Sequence, residues 1–531
     1  MAKPSIYKDY LAQQKLTVSF FPIPLKADWK KLAGQISGAE QHRIFTELVY
    51  QQNKHVDNPA LQVNLKRMQS KPVLFVVTGQ QLGLMVSPLY IIYKTLSAIR
   101  LAEYVQRQLP DYCVLPLFWL EGEDHDYAEV ASIHIWGADN ILHSVTLEER
   151  KEQNGFSMAR RRLPSQISSL LKEVKAALQP TAFSEGLFST LQEIYQPGRS
   201  WVDAFALQMW MIFRNNGLLL FNPSKSKIKE NSVPFFESLI RNNHDILNAY
   251  SQQSAKIKKA GYGLQVRLRE NLSYIYLADN GQQRKHLYRE SENNFLLADG
   301  KKHWNRMELI RYLHDHPDWF SSTVLTRPLW QSWMLPVISY VAGPAEIAYW
   351  AMLKQAFVLF NIPMPQLQPR ASFTLVEPAI QRLLQKLAID TNSITQDRQS
   401  FIKQKFREQA DSAAIQSVRS LKLVAEEKKN ELLKVIPQID ATLSSTVHKT
   451  FAQIDKNIHA LESKILKRLE EKEQQLTARL ARIHEHFYPL GKKQERIIGS
   501  VYFINKYGYE WINALKEKID VENPLSQTYD L

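Results

Sequence analysis

The sequence predicts an α/β protein with a Rossmann-type parallel-sheet core, a small antiparallel β insertion and a long α-helical antiparallel coiled-coil arm. Continuous apolar runs that end in glycine or acidic turns are typical of strands buried on both faces of a parallel sheet. Alternating segments between 263 and 304, with hairpin turns predicted at 279–281 and 299–300, indicate the antiparallel insertion. From 375 to 490, apolar residues recur at alternating steps of three and four, which is the spacing of a coiled coil.

The core is expected to begin with about 70 helical residues, including a helical segment at 29–50. A helix at 89–108 then connects the first two buried strands, which makes a parallel β-α-β unit. A later helix is predicted to run without a break over 345–360. The buried strands themselves are predicted at 73–77, 113–119, 217–221 and 335–341.

Three regions are therefore expected: the core at 1–374, the arm at 375–490 and a segment at 491–531 that returns to the core. Pro437 divides the arm, and the heptad pattern after it extends over more than 40 residues, or about 60 Å of helix. A seam of that length can hardly be covered by a globular core, so we expect the arm to form a homodimer. The alternative is a hairpin within one chain that has no partner.

Composition excludes several classes of protein. The chain has 531 residues, a formal net charge of +14 and one cysteine, Cys113, so neither a disulfide framework nor a cysteine-based zinc site is expected. No apolar run reaches the roughly 18 residues of a membrane span, and the first ten residues do not resemble a signal peptide. A cytoplasmic protein is expected. The basic excess fits an anionic substrate or nucleic acid, or else solvated lysine-rich helices, which the interleaved acidic residues favour. Nucleic acid is not expected as a partner.

The first candidate site is the turn after strand 73–77, where Gln80 and Gln81 lie between Gly79 and Gly83. Side-chain amides orient polar ligands but are poor acids or bases. The helix that follows carries Tyr90 and Lys94, which could bind hydroxyls, carboxylates or phosphates. A strand, a glycine turn and a helix in succession indicate a ligand-binding edge of an α/β sheet.

The second candidate site is the acidic turn after strand 113–119. Glu123, Asp124, His125 and Asp126 form a cluster in which one group could act as general base toward an amine. The alternative is that the carboxylates cap a helix and that His125 only orients a neighbour. Histidine and aspartate together can hold Mg²⁺ or Zn²⁺, but no second histidine stands at a ligand spacing, so no intrinsic metal is predicted.

The third candidate site follows strand 335–341. Gly343, Glu346 and Tyr349 lie at the start of a helix, where Glu346 could bind an ammonium or hydroxyl group or could simply complement the helix dipole. Arginines bind carboxylates through paired hydrogen bonds, so nearby arginines are candidates for an anionic substrate. The other substrate-binding candidates of this region are Arg327, Gln331 and Arg370.

Two familiar nucleotide motifs are incomplete. The turn 78–83 lacks the Gly-Lys-Ser/Thr ending of a P-loop. The segment 224–227, Ser-Lys-Ser-Lys, is similar to the lysine loop of class I aminoacyl-tRNA synthetases, but short serine and lysine loops arise easily by chance.

The chain resembles one family over nearly its whole length. The resemblance is to the bacillithiol biosynthesis cysteine-adding enzymes, the cysteine ligases BshC. No single motif decides it, but their joint occurrence in this order is specific. The residues that carry it are 78–84, 87–90 with Lys94, 118–126, 327–328, 340–350, 369–370 and 494–496.

The resemblance implies the last step of bacillithiol synthesis, in which the carboxyl group of L-cysteine is joined to the amine of glucosaminyl-malate. It also implies a homodimer built by the coiled coil and a nucleotide pocket, for ATP or ADP, that is separate from the active site. Tyr502, Asn505 and Tyr509 are the candidates for that pocket. Magnesium is expected only as the counter-ion of ATP.

Two other functions remain open on the sequence. The chain could be a non-catalytic scaffold whose arm recruits partners, or a nucleotide- or tRNA-handling enzyme of the class I synthetase type. Salt-sensitive RNA binding would distinguish the latter from a ligase.

Overall fold

The computed structural model describes residues 4–36, 38–279, 283–409, 413–440, 442–472, 474–524 and 526–531. Two compact units are present, one formed by Met1–Phe373 with Ile498–Gln527 and the other by Thr374–Ile497 with Thr528–Leu531. In chain order, the strands of the described residues are β1 (Val73–Gln81), β2 (Cys113–Glu121), β3 (Ser132–Trp136), β4 (Leu142–Thr146), β5 (Leu219–Phe221), β6 (Leu272–Asp279), β7 (Gln283–Arg289), β8 (Asn294–Leu297), β9 (His303–Asn305), β10 (Phe320–Ser322), β11 (Val337–Ala342), β12 (Gln366–Pro369), β13 (Ser372–Val376) and β14 (Ser526–Asp530).

Helices occupy most of the remaining chain. In order they are α1 (Ile6–Leu11), α2 (Lys15–Val18), α3 (Trp29–Ile36), α4 (Glu40–Asn53), α5 (Pro59–Met68), α6 (Tyr90–Gln108), α7 (Ile167–Ala177), α8 (Ser184–Ile194), α9 (Trp201–Ile212), α10 (Ser226–Asn231), α11 (Val233–Arg241), α12 (Asn243–Lys259), α13 (Arg306–Asp315), α14 (Arg327–Met334), α15 (Pro344–Trp350), α16 (Lys354–Leu359), α17 (Pro378–Lys386), α18 (Arg398–Gln409), α19 (Ala413–Val435), α20 (Leu443–Lys472), α21 (Gln474–Phe487), α22 (Ser500–Tyr507) and α23 (Glu510–Lys518).

The first unit is built on a five-stranded parallel sheet with the order β12-β11-β1-β2-β5. Alternate residues of β1 face opposite sides of this sheet, as the pleat requires. Phe75 and Val77 belong to one apolar cluster, whereas Leu74 and Val76 belong to another. Burial on both faces explains why β1 reads as a continuous apolar run, and the predicted Rossmann-type core is confirmed.

The antiparallel insertion is also confirmed, with the strand order β10-β6-β7-β8-β9. It extends beyond the predicted segment because β10, at Phe320–Ser322, pairs with β6. A second antiparallel pair, β3 with β4, was not predicted. Short strands of this kind are specified by their partners more than by their own sequence. The predicted turn at 279–281 lies partly outside the described residues.

Two predicted helices are interrupted. The segment 29–50 forms α3 and α4, which are separated at Gly38, whose φ of 111° is not helical. The predicted helix 345–360 was wrong as a single element, because it forms α15 and α16. Between them, Met352 and Leu353 donate backbone hydrogen bonds of 2.9 and 3.0 Å to the carbonyls three residues earlier, which makes a tight turn. Residues 351–353 are buried there, so packing overrides helix propensity.

The second unit contains the helical arm, whose halves α19 and α20 run antiparallel. Lys403, in the preceding helix α18, donates a 2.9 Å hydrogen bond to Ser463, and the Lys422 ammonium of α19 lies 3.6 Å from the Asp455 carboxylate. Residues further along the first half therefore contact residues nearer the start of α20. The chain turns at a 3₁₀ segment that contains Pro437. The predicted antiparallel helical arm is confirmed. No helix of the described residues is long and apolar enough to cross a membrane.

Candidate functional site

The order of the parallel strands reverses between β1 and β11. The chain begins in the middle of the sheet at β1, adds β2 and β5 on one side, and then crosses to add β11 and β12 on the other. In open α/β sheets, ligands bind outside the carboxyl ends of the strands at such a reversal. The glutamine turn follows β1 and the Glu346 helix follows β11, so the topology brings the first and third candidate sites to one edge.

Lys94 and Glu346 form an ion pair at this edge of the sheet. The Lys94 Nζ lies 2.6 Å from Glu346 Oε2 and donates a second hydrogen bond of 2.6 Å to the carbonyl of Gly79. Glu346 also accepts hydrogen bonds from the Tyr340 hydroxyl, at 2.7 Å, and from the Gly343 backbone N–H, at 2.8 Å. The pair therefore ties the end of β1 to the start of α15.

Lys94 is buried and Glu346 is partly buried, and this burial shifts the pKa of each group. Burial lowers the pKa of the Lys94 ammonium, and the Glu346 carboxylate opposes that shift. Burial alone would raise the pKa of Glu346, but the charge of Lys94 and the hydrogen bonds outweigh it, so the pKa lies below its usual value. Gln80 lies at the same place, with its Oε1 3.4 Å from Lys94 Nζ.

Arg327 connects Tyr349 to Glu121, the last residue of β2. Arg327 donates a 2.7 Å hydrogen bond to Glu121 Oε2 and one of 3.3 Å to the Tyr349 hydroxyl. The Trp119 indole N–H also donates to Glu121, at 3.2 Å. Sequence reasoning did not select Glu121, although it ends a buried strand immediately before the selected cluster.

The four residues of the acidic turn lie in different environments. Glu123 is buried and paired with the ammonium of Lys229, which also donates a 2.8 Å hydrogen bond to the carbonyl of Phe320. Burial lowers the pKa of Lys229 to about 7, and the nearby positive charge of Arg284 acts in the same direction. Asp126 is exposed. Glu123 therefore forms an ion pair with Lys229, a partner that the sequence did not indicate.

Asp124 is held from two sides. Its Oδ2 accepts a 2.7 Å hydrogen bond from the Gln81 amide, and its Oδ1 lies 3.9 Å from the Arg284 guanidinium. Its Oδ1 also accepts the backbone N–H of His125 at 2.7 Å. Burial would raise the pKa of Asp124, but these donors and the charge of Arg284 outweigh it and the pKa is lowered. Asp124 is therefore a carboxylate at neutral pH.

The antiparallel insertion supplies the cation at this site. The Arg284 guanidinium lies 3.8 Å from the ring centroid of Tyr276, an aromatic face that favours a desolvated cation. Arg284 also donates to Ser321 Oγ at 3.0 Å and to the Ser322 carbonyl at 2.6 Å. Sequence reasoning missed Arg284 and Tyr276, because only the pairing of β6, β7 and β10 brings them to Asp124.

His125 is the half-exposed member of the cluster and packs edge-on against Tyr276, with ring centroids 6.1 Å apart. Its Nδ1 is shielded from solvent and has no hydrogen-bond partner among the described residues. Burial and the charge of Arg284 lower the pKa of His125, while the Asp124 carboxylate opposes them. The imidazole is therefore neutral at pH 7 and can accept a proton.

A cavity of about 280 Å³ opens beside this turn. Its walls carry three cationic and two acidic side chains together with four serines. The charged residues include Arg160 and Asp318 from outside the sheets, so this polar space is assembled from distant parts of the chain. Its lining residues are Glu123, Ser157, Ala159, Arg160, Ser224, Ser226, Lys229, Ala278, Arg284, Asp318, Trp319 and Ser321.

Arg370 and Tyr90 lie together, with the guanidinium 5.5 Å from the ring centroid. Arg370 also donates a 2.8 Å hydrogen bond to the carbonyl of Ala371 and is almost fully buried. Gln331 is buried in α14, where its backbone carbonyl accepts from Leu335. The assignment of these residues to substrate binding stays a prediction.

The three residues suggested for a nucleotide pocket lie in and beside α22. The Asn505 amide accepts from Ser184 Oγ at 2.9 Å and donates to the Gln179 carbonyl at 2.9 Å. Tyr502 packs edge-on against Trp136, with centroids 5.2 Å apart. The Tyr509 hydroxyl lies 3.6 Å from the sulfur of Met211. Their role in nucleotide binding stays a prediction.

Within the described part of the chain, no group of three histidine, cysteine, aspartate or glutamate side chains is arranged to hold a metal ion. The acidic turn does not form such a group.

Two family models together match almost the whole chain. Residues 1–371 match the N-terminal Rossmann-like domain of bacillithiol biosynthesis BshC, and residues 373–529 match the C-terminal coiled-coil domain of the same family. The resemblance inferred from the motifs is therefore confirmed.

Relatives from three bacteria carry one name, "Putative cysteine ligase BshC". The protein of Chlorobium phaeobacteroides is 30% identical over 529 residues, which covers 96% of this chain and 93% of the relative. The protein of Salinibacter ruber is 27% identical and covers 99% and 96% of the two chains. The protein of Bacillus velezensis is 27% identical, with 94% and 93% covered. By fold, by family model and by full-length similarity, the chain belongs to the BshC family of bacillithiol biosynthesis.

Proposed function

We propose that this protein is a ligase that joins the carboxyl group of L-cysteine to the amine of glucosaminyl-malate and so forms bacillithiol. The family and the names of the relatives support a cysteine ligase. The observation that supports this chemistry most directly is the position of a neutral imidazole, His125, in the turn that also borders a cation-lined cavity.

The reaction needs an activated carboxyl group, because amide formation from a carboxylate and an amine is uphill in water. ATP, with magnesium as its counter-ion, would supply that activation as an acyl-phosphate or acyl-adenylate. The amine of glucosaminyl-malate then attacks the activated carbon, a C–N bond forms, and phosphate or AMP leaves. The proton lost by the amine goes to His125, which is neutral and half-exposed, and Asp124 stabilises the imidazolium that results.

We place the malate carboxylates in the polar cavity, near Arg160, Lys229 and Arg284. Arg327 and Arg370 were the sequence candidates for this task. Neither of them lines the polar cavity, whereas Arg160, Lys229 and Arg284 do. The cations of the cavity wall are better placed, since a charge-assisted hydrogen bond forms only where the ligand can reach the donor.

The direct test is a mass-spectrometric assay of the purified protein with glucosaminyl-malate, cysteine and Mg-ATP, beside reactions that each lack one component. We expect a product with the mass of bacillithiol only in the complete mixture. Product without ATP would contradict activation by nucleotide. Absence of product in every mixture would contradict the ligase reaction with free cysteine.

We further propose that the arm joins two copies of the chain and that the protein works in the reducing cytoplasm, where a thiol product persists. Apolar side chains on the arm support the first point: Leu421, Leu423, Val424 and Ile439 are exposed, with Leu423 73% exposed and Ile439 78%. Light scattering of the full chain should give twice the mass of one chain, and a Leu423→Lys, Ile439→Lys variant should give less. A monomeric wild type would contradict the dimer.

A further inference from the structure

The polar cavity beside the acidic turn has one large aromatic side chain in its wall. Trp319 is a half-buried lining residue, and its neighbour in the chain, Asp318, is an exposed one. Other parts of the lining are formed by the buried side chains of Glu123 and Lys229. The cavity therefore has charged groups in its interior and an indole ring nearer its opening.

Other aromatic side chains hold Trp319 in place. Its indole stacks on the ring of His316, with centroids 4.0 Å apart and planes 6° apart, and Tyr312 packs edge-on against it at 5.6 Å. The short 3₁₀ segment that carries Trp319 begins at Pro317, whose ring fixes φ. Neither His316 nor Tyr312 lines the cavity. Trp319 therefore lines it with the part of the indole surface that these two rings leave uncovered.

The residues directly after Trp319 contact the two least exposed cations of the cavity wall. The carbonyl of Phe320 accepts a 2.8 Å hydrogen bond from the Lys229 ammonium. The Ser321 hydroxyl oxygen accepts one of 3.0 Å from the Arg284 guanidinium. These contacts fix the position of the indole relative to both positive charges.

The residue before Trp319 is held by two other parts of the chain. The Ser226 hydroxyl, at the start of α10, donates a 3.0 Å hydrogen bond to Asp318 Oδ2. Arg160 Nη2 donates one of 3.4 Å to the Asp318 backbone carbonyl. Because the chain is held on both sides of Trp319, the indole needs little reordering when a ligand binds.

An aromatic surface beside buried cations matches a ligand that joins a sugar ring to a dicarboxylate. One side of a pyranose ring presents C–H groups, which pack against the flat surface of an aromatic side chain. The dicarboxylate end binds through charge-assisted hydrogen bonds to cations. The cations alone would suffice for a free dicarboxylate, so the indole is the feature that suits the sugar.

We propose that Trp319 is the platform of the site, the surface on which the sugar ring of the substrate packs, while the malate carboxylates reach Lys229 and Arg284. The identity of the substrate rests on the proposed ligase function. Trp319 then determines specificity, because it distinguishes glucosaminyl-malate from free malate. It binds the substrate and takes no part in proton transfer.

The test is calorimetry of the purified full chain with glucosaminyl-malate and, separately, with L-malate, without cysteine or ATP. The wild type should bind glucosaminyl-malate more tightly than malate. Trp319→Ala should weaken the binding of glucosaminyl-malate about tenfold and that of malate little, because it removes the platform and retains the cations. Trp319→Phe keeps a flat ring and should recover part of the loss.

Trp304→Ala is the matched control. Trp304 belongs to the same antiparallel insertion and packs against Tyr312, with centroids 5.3 Å apart, but it does not line the cavity. Its replacement should leave the affinities for both ligands unchanged. Circular dichroism identifies any variant that fails to fold, and Trp319→Leu, which retains an apolar side chain without a flat ring, then supplies the same comparison.

Three results would overturn the platform. They are equal weakening of both ligands by the Trp319 variants, an unchanged affinity of these variants for glucosaminyl-malate, and a loss in Trp304→Ala as large as that in Trp319→Ala. Equal affinities of the wild type for the two ligands would also contradict it, since the sugar would then add nothing to binding.

The product assay separates this inference from the ligase function. Binding of glucosaminyl-malate that depends on Trp319, without product in the complete mixture, would retain the sugar platform and contradict the ligase. ATP-dependent product with the same KM for glucosaminyl-malate in the wild type and in Trp319→Ala would retain the ligase and overturn the platform. Neither binding nor product in the wild type would overturn both.

Discussion

The Gln81 amide donates a 2.7 Å hydrogen bond to Asp124 Oδ2 and so connects the ends of the neighbouring strands β1 and β2. The two residues come from two separate candidate turns of the sequence. Their contact holds the carboxylate that lies beside His125, so the orientation of the acidic turn depends on it.

Replacing Gln81 by Leu should lower kcat/KM about tenfold to a hundredfold while Tm changes little, because Asp124 loses the donor that orients it. Steady-state assays and thermal unfolding measure the two quantities. Gln453→Leu, which removes an exposed 3.1 Å hydrogen bond to Asn457, is the matched control and should behave as wild type. Full activity in Gln81→Leu would show that the contact has no part in catalysis.

His125 should be the proton acceptor. Burial lowers the pKa of His125 below its ordinary value of 6.5, so the imidazole stays neutral to lower pH than a free histidine does. The acid limb of the kcat/KM profile should therefore lie below pH 6.5. His125→Ala should cost about 10²–10⁴-fold in kcat. His143→Ala, a half-exposed histidine paired with Asp139, is the control. An acid limb that is unchanged in His125→Ala would assign the base to another group.

Arg284→Lys should raise KM for glucosaminyl-malate about tenfold. The arginine guanidinium lines the cavity while it donates hydrogen bonds to Ser321 and to the Ser322 carbonyl, and a lysine ammonium lacks the planar group that makes these contacts together. Arg241→Lys changes an exposed arginine that pairs with Glu237 and should leave KM unchanged. A rise in KM for cysteine alone would contradict the placement of the malate carboxylates.

Gly83→Ala should destabilise the protein by at least ~2 kcal/mol, since a Cβ at Gly83 would stand 1.8 Å from the Ser87 carbonyl oxygen and the backbone would have to move. Gly186→Ala in α8 meets nothing within 4 Å and should stabilise by up to ~1 kcal/mol through helix propensity. Urea unfolding measures both. Equal stabilities of the two variants would contradict this geometry.

Lys94→Met should cost up to ~3–5 kcal/mol, because the partly buried Glu346 carboxylate is left without its cation, and Lys94→Met with Glu346→Leu should recover part of that loss. Lys428→Met breaks an exposed pair and should leave the stability close to that of the wild type. In the wild type, the lowered pKa of Glu346 gives a stability contribution that is present above its ordinary value of 4.5 and is lost as pH falls through the folded pKa. A double variant no more stable than Lys94→Met would refute a buried pair.

Local sequence patterns determined the element types of this protein. The apolar runs at β1 and β2, the helix α6 between them and the heptads of α19 and α20 each follow from a periodicity that a short segment carries by itself. The acidic turn, Lys94 and Glu346 were also identifiable, because they stand directly after buried strands or at the first turns of the helices that follow.

Only the tertiary structure decided which of these groups meet. Glu123 is paired with Lys229, which lies 106 residues away, and Asp124 faces Arg284 from the antiparallel insertion. No local pattern encodes such contacts, because they depend on how sheets and helices pack over long separations in the chain. The break between α15 and α16 has the same origin: burial of residues 351–353 outweighed a helix propensity that the sequence alone suggested.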